Sequence, residues 1–370
     1  MKKYDIGILT FWNVPNYGTY AQAYALQRVI QSLDDKKDVR QIAHLDQKHY
    51  NLYYDKRLYY RSLPFWRRSY WKSFFMKDEI NENKKNLFLD AYSTIPHTEI
   101  ITKKNVEEYR FNKIFLGSDI IWDFTIDVFN QDSMLFGEGL NALDINSYAA
   151  SFGTVKKDLI IPKYVRNNIK RMKNISVRDE NSADIVELIT GKRPLVVLDP
   201  AWIWDFNNDR NIITPKEDKY ILIYGQDFSK GFIDNLIKYA KEKRLKLIGL
   251  DCNEDDYSWC DKMIKQENLD PLSWIGYFKG ASAVATSTFH GLTFSLIFNK
   301  KIAFCKTEFI IAKIGHLLKQ LGIYNLFEDK EDVYTMFDYN WDYKFINEYI
   351  SKSKGKSIEF LRKCVTDTYE

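Results

Sequence analysis

At 370 residues the chain is too long for one ordinary core, and its length suggests two domains. A hydrophobic content of 45% with 28% charged residues is that of a folded globular protein and excludes a disordered one. The net charge of +4 is too mild to argue for nucleic acid, and no apolar run approaches the roughly 20 residues of a membrane span.

Short apolar runs alternate with amphipathic helical stretches along the chain, the pattern of a parallel α/β sheet. The N-terminus enters a strand at once and lacks the apolar run of a signal peptide, so a cytoplasmic protein is expected. Ile6-Gly7-Ile8-Leu9-Thr10 is the first predicted strand. The loop from Phe11 to Gly18 follows, then a helix from about Thr19 to Leu33 with Ala23, Leu26, Ile30 and Leu33 at helical spacing. Further strands are predicted at 113–117, 147–151, 174–177 and 195–198. The charged, irregular stretch from Asp205 to Asp218 reads as an interdomain linker. The pattern then restarts with strands at 220–224, 245–249, 283–286 and 301–304 and a helix near 231–243. The expected domains are therefore residues 1–205 and 206–345, followed by a helical tail at 346–370. In proteins of two Rossmann-like halves such a tail often packs back on the first. Cys252, Cys260, Cys305 and Cys364 form no CxxC pair and no zinc spacing, which fits reduced thiols and no metal.

One segment breaks the alternation. Residues 50–77 read YNLYYDKRLYYRSLPFWRRSYWKSFFMK, with basic and aromatic residues interleaved. The run suits an interfacial element at an anionic membrane, or a grip on a large acceptor by stacking and hydrogen bonds. It equally suits a helical excursion whose aromatics pack on the sheet while the basic residues stay solvated. Single-stranded nucleic acid favours similar composition, but nothing else in the chain supports it.

The most informative run is Ser287-Thr288-Phe289-His290-Gly291, directly after the strand Ala283-Val284-Ala285-Thr286. A strand feeding a helix in a parallel sheet puts its turn at the carboxyl edge, where such sheets bind ligands. His290 is then placed for proton transfer, and a helix opening at Gly291 offers N–H groups to an anion. A polar cap on a core helix would look the same.

Other runs accompany it: Gly7-Ile8-Leu9-Thr10-Phe11, Asn16-Tyr17-Gly18-Thr19, Gln22-Ala23-Tyr24-Ala25-Leu26-Gln27, Leu116-Gly117-Ser118-Asp119 with Trp122, Tyr148-Ala149-Ala150-Ser151-Phe152-Gly153, Ser176-Val177-Arg178-Asp179-Glu180 and Leu198-Asp199-Pro200. Each is weakly specific; in this order and at these intervals they resemble the polysaccharide pyruvyl transferase family, from about residue 4 to residue 325. The resemblance implies a glycosyltransferase-B-like α/β fold, two Rossmann-like domains facing across a cleft that holds the active site. It also implies transfer of the pyruvyl group of phosphoenolpyruvate to two hydroxyls of a sugar, giving a ketal and phosphate. The acceptor would be a cell-surface glycan or its lipid-linked precursor, with no metal or nucleotide cofactor.

Phosphoenolpyruvate carries a carboxylate and a phosphate, so its site needs cations and oriented N–H donors. Arg178, just past a strand end, is a candidate to hold either group as a planar fork; pairing with Asp179, Glu180 or Asp184 is the other reading. Protonation of the methylene carbon and deprotonation of a hydroxyl call for a group titrating near neutrality, a role for His290. The other histidines (His44, His49, His97, His316) fall outside the matched runs and read as surface or packing residues. In Asn16-Tyr17-Gly18, Gly18 permits close ligand approach and the following helix can receive an anion, although a tight turn needs the same residues. Asp119 either accepts hydrogen bonds from acceptor hydroxyls, acts as a second base, or caps a helix. Asp199-Pro200 reads as turn-shaping. Where family members often carry Arg early in the helix after the last strand, this chain has Lys306 and then Lys313, either of which can supply a point charge to phosphate.

A nucleotide-sugar-dependent glycosyltransferase of the same architecture and a non-catalytic glycan-binding scaffold are the alternative functions. The first predicts a nucleoside diphosphate in the second domain, the second no turnover at all.

Overall fold

The computed structural model describes residues 1–44, 46–75, 82–126, 132–252 and 257–367, apart from the side chains of Phe309 and Ala312. The chain divides into two compact units: Met1–Trp204 with Lys354–Glu370, and Asp205–Ser353.

In unit 1 six parallel strands form one sheet: β1 (Lys2–Leu9), β2 (Val39–Gln41), β3 (Tyr109–Leu116), β4 (Ala142–Ala150), β5 (Asn174–Val177) and β6 (Leu195–Val196), in the order β2-β1-β3-β4-β5-β6. Burial along β1 deepens toward its carboxyl end, where Ile6 and Ile8 face one core and Leu9 the other. The helix Tyr17–Leu33 follows β1 and is nearly all buried, consistent with its Ala- and Tyr-rich face. It starts two residues before the predicted Thr19, because the Asn16 side chain caps it by accepting from the Thr19 N–H at 3.0 Å. Among the described residues, the 50–77 segment is irregular helix: Gln47–Tyr54, Lys56–Arg61 and Arg68–Lys72. Met76 and Lys77 lie outside the described residues.

Unit 2 carries β7 (Tyr220–Tyr224), β8 (Lys246–Cys252), β9 (Lys262–Lys265), β10 (Ala283–Thr286) and β11 (Lys301–Phe304), again all parallel, in the order β11-β10-β7-β8-β9. Each central strand is a continuous buried run, as expected where helices cover both faces. The parallel α/β class read from the sequence is thus the observed one. Two strands escaped the reading, β2 and β9, which are three and four residues long and carry charged side chains.

The C-terminal helix Tyr343–Thr366 begins in unit 2, and its residues from Lys354 onward belong to unit 1. Leu361, Cys364 and Val365 bury themselves against Ile6, Ile8, Leu26 and Phe115. Lys113 on β3 is buried, and its Nζ donates to the carbonyls of Cys364 (2.7 Å), Val365 (3.0 Å) and Asp367 (2.6 Å). A cation is thereby set on the negative end of the helix dipole. Among the described residues no helix is long and apolar enough to cross a membrane.

Candidate functional site

In unit 1 the strands β1, β3, β4, β5 and β6 deliver Thr10, Ser118, Asp119, Ser151, Arg178, Asp179 and Asp199 to one carboxyl edge. The backbone is shaped for this. Gly117 has φ +118°, and a Cβ there would run into the Tyr148 carbonyl oxygen and lie 3.1 Å from the Ala150 N. Asp119 follows at φ 72°, bridges to Ala150, and lies where β4 shifts register. A non-glycine residue in that conformation carries a strain that the surrounding structure must hold in place.

Arg178 sits at the centre with its side chain 3% exposed. Its Nη1 donates to Asp199 Oδ2 at 2.9 Å, and its Nη2 lies 3.8 Å from Asp119 Oδ1. Burial alone would lower its pKa, but the charges of Asp199 and Asp119 outweigh burial and raise it. Asp119 Oδ2 accepts from Thr19 Oγ1 at 3.0 Å, and its Oδ1 accepts from the Ile120 N–H at 2.8 Å. Asp199 also caps the short helix Pro200–Ile203 and accepts from Ser118 Oγ at 3.3 Å. The sequence reads Arg178 as a donor-binding residue, with pairing to its neighbours in the chain as the alternative. Its partners are instead Asp199 and Asp119, while Asp179 caps the next helix and accepts from Ser151 Oγ at 2.6 Å. Asp184 pairs with Lys157 and Arg193, and Glu180 with Arg193.

A second polar group lines the loop after β1. His44 and Asp132 form a buried ion pair, and His44 Nδ1 lies 3.1 Å from the Ile101 carbonyl. Burial works to lower the His44 pKa, yet the hydrogen bond to Asp132 and its charge raise it overall. His49, buried beside the Phe11 and Tyr53 rings, has its pKa pushed down to about 4 by burial. His44, His49 and Asp132, with Asp46, Thr10 and Asn13, border a cavity of about 20 Å³, room for one water. From the sequence alone both histidines read as surface or packing residues. Asp132 is 88 positions from His44, so no local signal links them.

Of the loop Asn16-Tyr17-Gly18, Asn16 is the helix cap, while Tyr17 and Gly18 are buried in the first turn. Tyr17 packs on Phe88. Capping occupies the Asn16 side chain, a use that neither the ligand-loop nor the tight-turn reading names.

In unit 2, β10 ends at Thr286 and a helix spans Phe289–Ile297. It therefore opens two residues earlier than predicted, with Thr288 as its cap. Thr288 Oγ1 accepts from the Gly291 N–H at 2.9 Å, so this N–H serves the cap. A Cβ on Gly291 would collide with Thr286 Oγ1 and come within 2.6 Å of Thr288 Oγ1, which explains glycine here. His290 is half-buried in the first turn, edge-on to Phe289. Ser287 and Thr288 border an open pocket of about 680 Å³ at the carboxyl edge of the second sheet. Its other walls include Phe228, Tyr257 and Trp259, with the carboxylates Asp227 and Asp251; no Lys or Arg appears among its described lining residues. Asp227, Asp251 and Tyr257 all have φ between 56° and 59°, a clustering of strain typical of binding sites. Tyr257 is fixed by a hydrogen bond from its hydroxyl to the Gly225 carbonyl. Lys306 Nζ lies 2.6 Å from Glu328 Oε1 and 4.9 Å from the Tyr324 ring centroid. Lys313 Nζ lies 6.0 Å from the Phe289 ring centroid, one residue from His290.

The structure thus brings Asp119 and Arg178 together in unit 1 and places His290, Gly291, Lys306 and Lys313 in unit 2. Among the described residues, no group of three or more His, Cys, Asp or Glu is placed to hold a metal.

Two all-parallel sheets, each gathering polar side chains at its carboxyl edge, define a two-unit α/β protein. The family model for polysaccharide pyruvyl transferases matches residues 16–306, and the chain belongs to that family. Its class of activity is accordingly modification of a polysaccharide by a transferase. A search of curated proteins finds no match. Among solved structures, a UDP-GlcNAc 2-epimerase from Methanocaldococcus jannaschii is 11% identical, with 95% of this chain and 100% of that one covered and a TM-score of 0.45. The UDP-GlcNAc 2-epimerase from Neisseria meningitidis bound to UDP-GlcNAc is 10% identical over 95% and 100%, with a TM-score of 0.45. The E. coli heptosyltransferase WaaC with ADP is 9% identical over 87% and 99%, with a TM-score of 0.40.

Proposed function

We propose that the protein transfers the pyruvyl group of phosphoenolpyruvate as a ketal to one sugar of a cell-surface polysaccharide or its lipid-linked precursor. The observation that carries this reading is the family match through residue 306, which includes His290 in the first helical turn after β10. In the balanced reaction the enol carbon of the donor gains two bonds to sugar oxygens and loses its π bond to the methylene carbon and its bond to the phosphate oxygen. Of the two hydroxyl protons, one ends on the methylene carbon, making it a methyl, and the other on the released phosphate.

His290 is the group proposed to move these protons, taking one from a hydroxyl and giving one to the methylene carbon. Asp119, oriented by Thr19 and the Ile120 N–H, is proposed to accept a hydrogen bond from acceptor hydroxyls or to act as a second base. Arg178 is proposed to serve donor binding, with Asp199 holding its guanidinium in place. Lys306, which faces Glu328, or Lys313, beside Phe289, is proposed to supply a point charge to the phosphate. Asn16, Tyr17 and Gly18 frame the acceptor side, and Gly291 keeps the turn carrying His290 closed. No metal or nucleotide is required, and a lipid-linked acceptor would put the enzyme at the inner face of the plasma membrane as a cytoplasmic, peripheral protein.

The test is phosphate release from phosphoenolpyruvate with synthetic or lipid-linked glycosides as acceptors. Acceptor-dependent release that His290→Ala abolishes supports the reading; no release with any acceptor overturns it.

The pocket of unit 2 favours a second reading. Aromatic walls, two carboxylates and the lack of Lys or Arg among the described lining suit a nucleoside or sugar better than a bare trianion. A nucleotide-sugar glycosyltransferase would show stabilisation by a nucleoside diphosphate and none by phosphoenolpyruvate.

A further inference from the structure

The basic, aromatic segment divides: Tyr54 is buried and Tyr59 packs against the unit 1 core, but the Phe and Trp rings from Phe65 onward are not tucked onto the sheet. Phe65, Trp66, Trp71, Phe74 and Phe75 all stand in solvent, Trp66 at 73% and Phe75 at 91% exposure. Phe65 and Trp66 stand in the turn between the helices Lys56–Arg61 and Arg68–Lys72, Trp71 on the second helix, and Phe74 and Phe75 just after it. The rings pack edge-on to one another, Phe65 on Trp66 at 5.3 Å and Tyr70 on Phe74 at 5.5 Å, so they form patches and not isolated side chains. Neither helix has any buried residue. Of the readings the sequence left open, aromatics buried on the sheet is therefore the one these residues do not follow.

The charges around the rings are of one sign. Residues 56–75 include Lys56, Arg57, Arg61, Arg67, Arg68 and Lys72 and no Asp or Glu, so this stretch alone exceeds the +4 of the whole chain. All but Arg57 are exposed. The Arg61 guanidinium lies over the Phe74 ring, its Cζ 4.7 Å from the ring centroid, a cation–π contact that ties a charge to the exposed rings.

We propose that this surface docks the protein on the face of an anionic phospholipid bilayer. Exposed Trp and Phe fit the headgroup–acyl boundary, and Lys and Arg complement anionic lipid within a Debye length of the surface. The helices are six and five residues long, far short of the roughly 30 Å of a hydrocarbon core, so the contact is with one leaflet. A bilayer explains the patch better than nucleic acid does. Phe65 packs on Trp66, and Phe74 on Tyr70 and Trp71, crowding rings together at the surface where a single strand would want separate stacking platforms along a groove. Docking here rests on the lipid-linked acceptor of the proposed function for its purpose, but not for its measurement.

The experiment is flotation of the full chain with vesicles of phosphatidylcholine, alone or mixed with phosphatidylglycerol, without donor or acceptor. The native protein is expected to bind the anionic vesicles at least about tenfold better than the neutral ones. That preference should vanish at roughly 1 M salt, where the Debye length is ~3 Å. The triple variants Trp66→Ser/Trp71→Ser/Phe75→Ser and Arg67→Gln/Arg68→Gln/Lys72→Gln each change exposed side chains only. Each should lose about tenfold in vesicle binding with an unchanged melting temperature. No binding to either vesicle, or variants that bind as the native protein does, would overturn the proposal. So would binding to a single-stranded oligonucleotide that exceeds binding to vesicles. Vesicle binding without phosphate release counts against pyruvyl transfer and leaves the docking surface standing; release without vesicle binding does the reverse.

Discussion

Arg178 and Asp199 meet at 2.9 Å with side chains 3% and 0% exposed, joining the ends of β5 and β6 through a charge pair shut away from water. Removing one member takes away the other's nearest opposite charge inside the protein, which costs about 3–5 kcal/mol. Arg178→Ala and Asp199→Ala are each expected to lose that much in urea unfolding, and the double variant less than the sum. Additive losses would mean that the two side chains are not coupled.

His290 offers the opposite profile. Half-buried in a capped first turn, it contributes little packing that Asn cannot replace. His290→Asn is expected to keep the melting temperature within about 2 °C while acceptor-dependent phosphate release falls by about 10²–10⁴-fold. A fall in both together would make the residue structural.

Stability should bend with pH on the acid side because of His49. Burial holds its pKa near 4, against 6.5 for an exposed imidazole, so between these values the unfolded chain takes a proton that the fold refuses. The native protein therefore loses stability as pH falls through this window, by at most about 1.4 kcal/mol per pH unit. His44 acts with the other sign: raised by Asp132 in spite of its burial, it stabilises below 6.5 and ceases to do so as pH climbs through its folded value. Urea unfolding across the window should show a flatter acid limb for His49→Gln. An identical slope would sink the assignment.

Lys113→Met should destabilise unit 1 by about 2–3 kcal/mol, since three helix-end carbonyls lose a charged donor inside the protein. Hydrogen exchange would locate the loss in residues 354–366. Unchanged protection there would show the helix to be held by its apolar face alone.

Gly291→Ala is expected to cost about 1–3 kcal/mol by forcing apart Thr286 and Thr288, measured by calorimetry.

Most of the architecture was legible because β1, β3, β7 and β10 are buried runs whose composition leaves little choice. β2 and β9 were not, since three or four residues with charged side chains carry almost no period. Position at the carboxyl edge was legible too, and it picked out Asp119, Arg178 and His290. Partnership was not. Asp199 precedes a proline and reads as turn-shaping; its Oδ1 does cap the short helix, and nothing local signals that its Oδ2 holds Arg178. Thr288 was read as loop and proved to be the cap that moves the helix start to Phe289.

The shared C-terminal helix has a consequence for biosynthesis. Residues 205–353 are contiguous, so unit 2 has all its parts once Ser353 has left the ribosome. Unit 1 must still wait for Leu361, Cys364 and Val365, and for the Ser357 hydroxyl that accepts from the Leu198 N–H. The half translated first is thus the half completed last, a reversal of the usual N-terminal-first order on the ribosome.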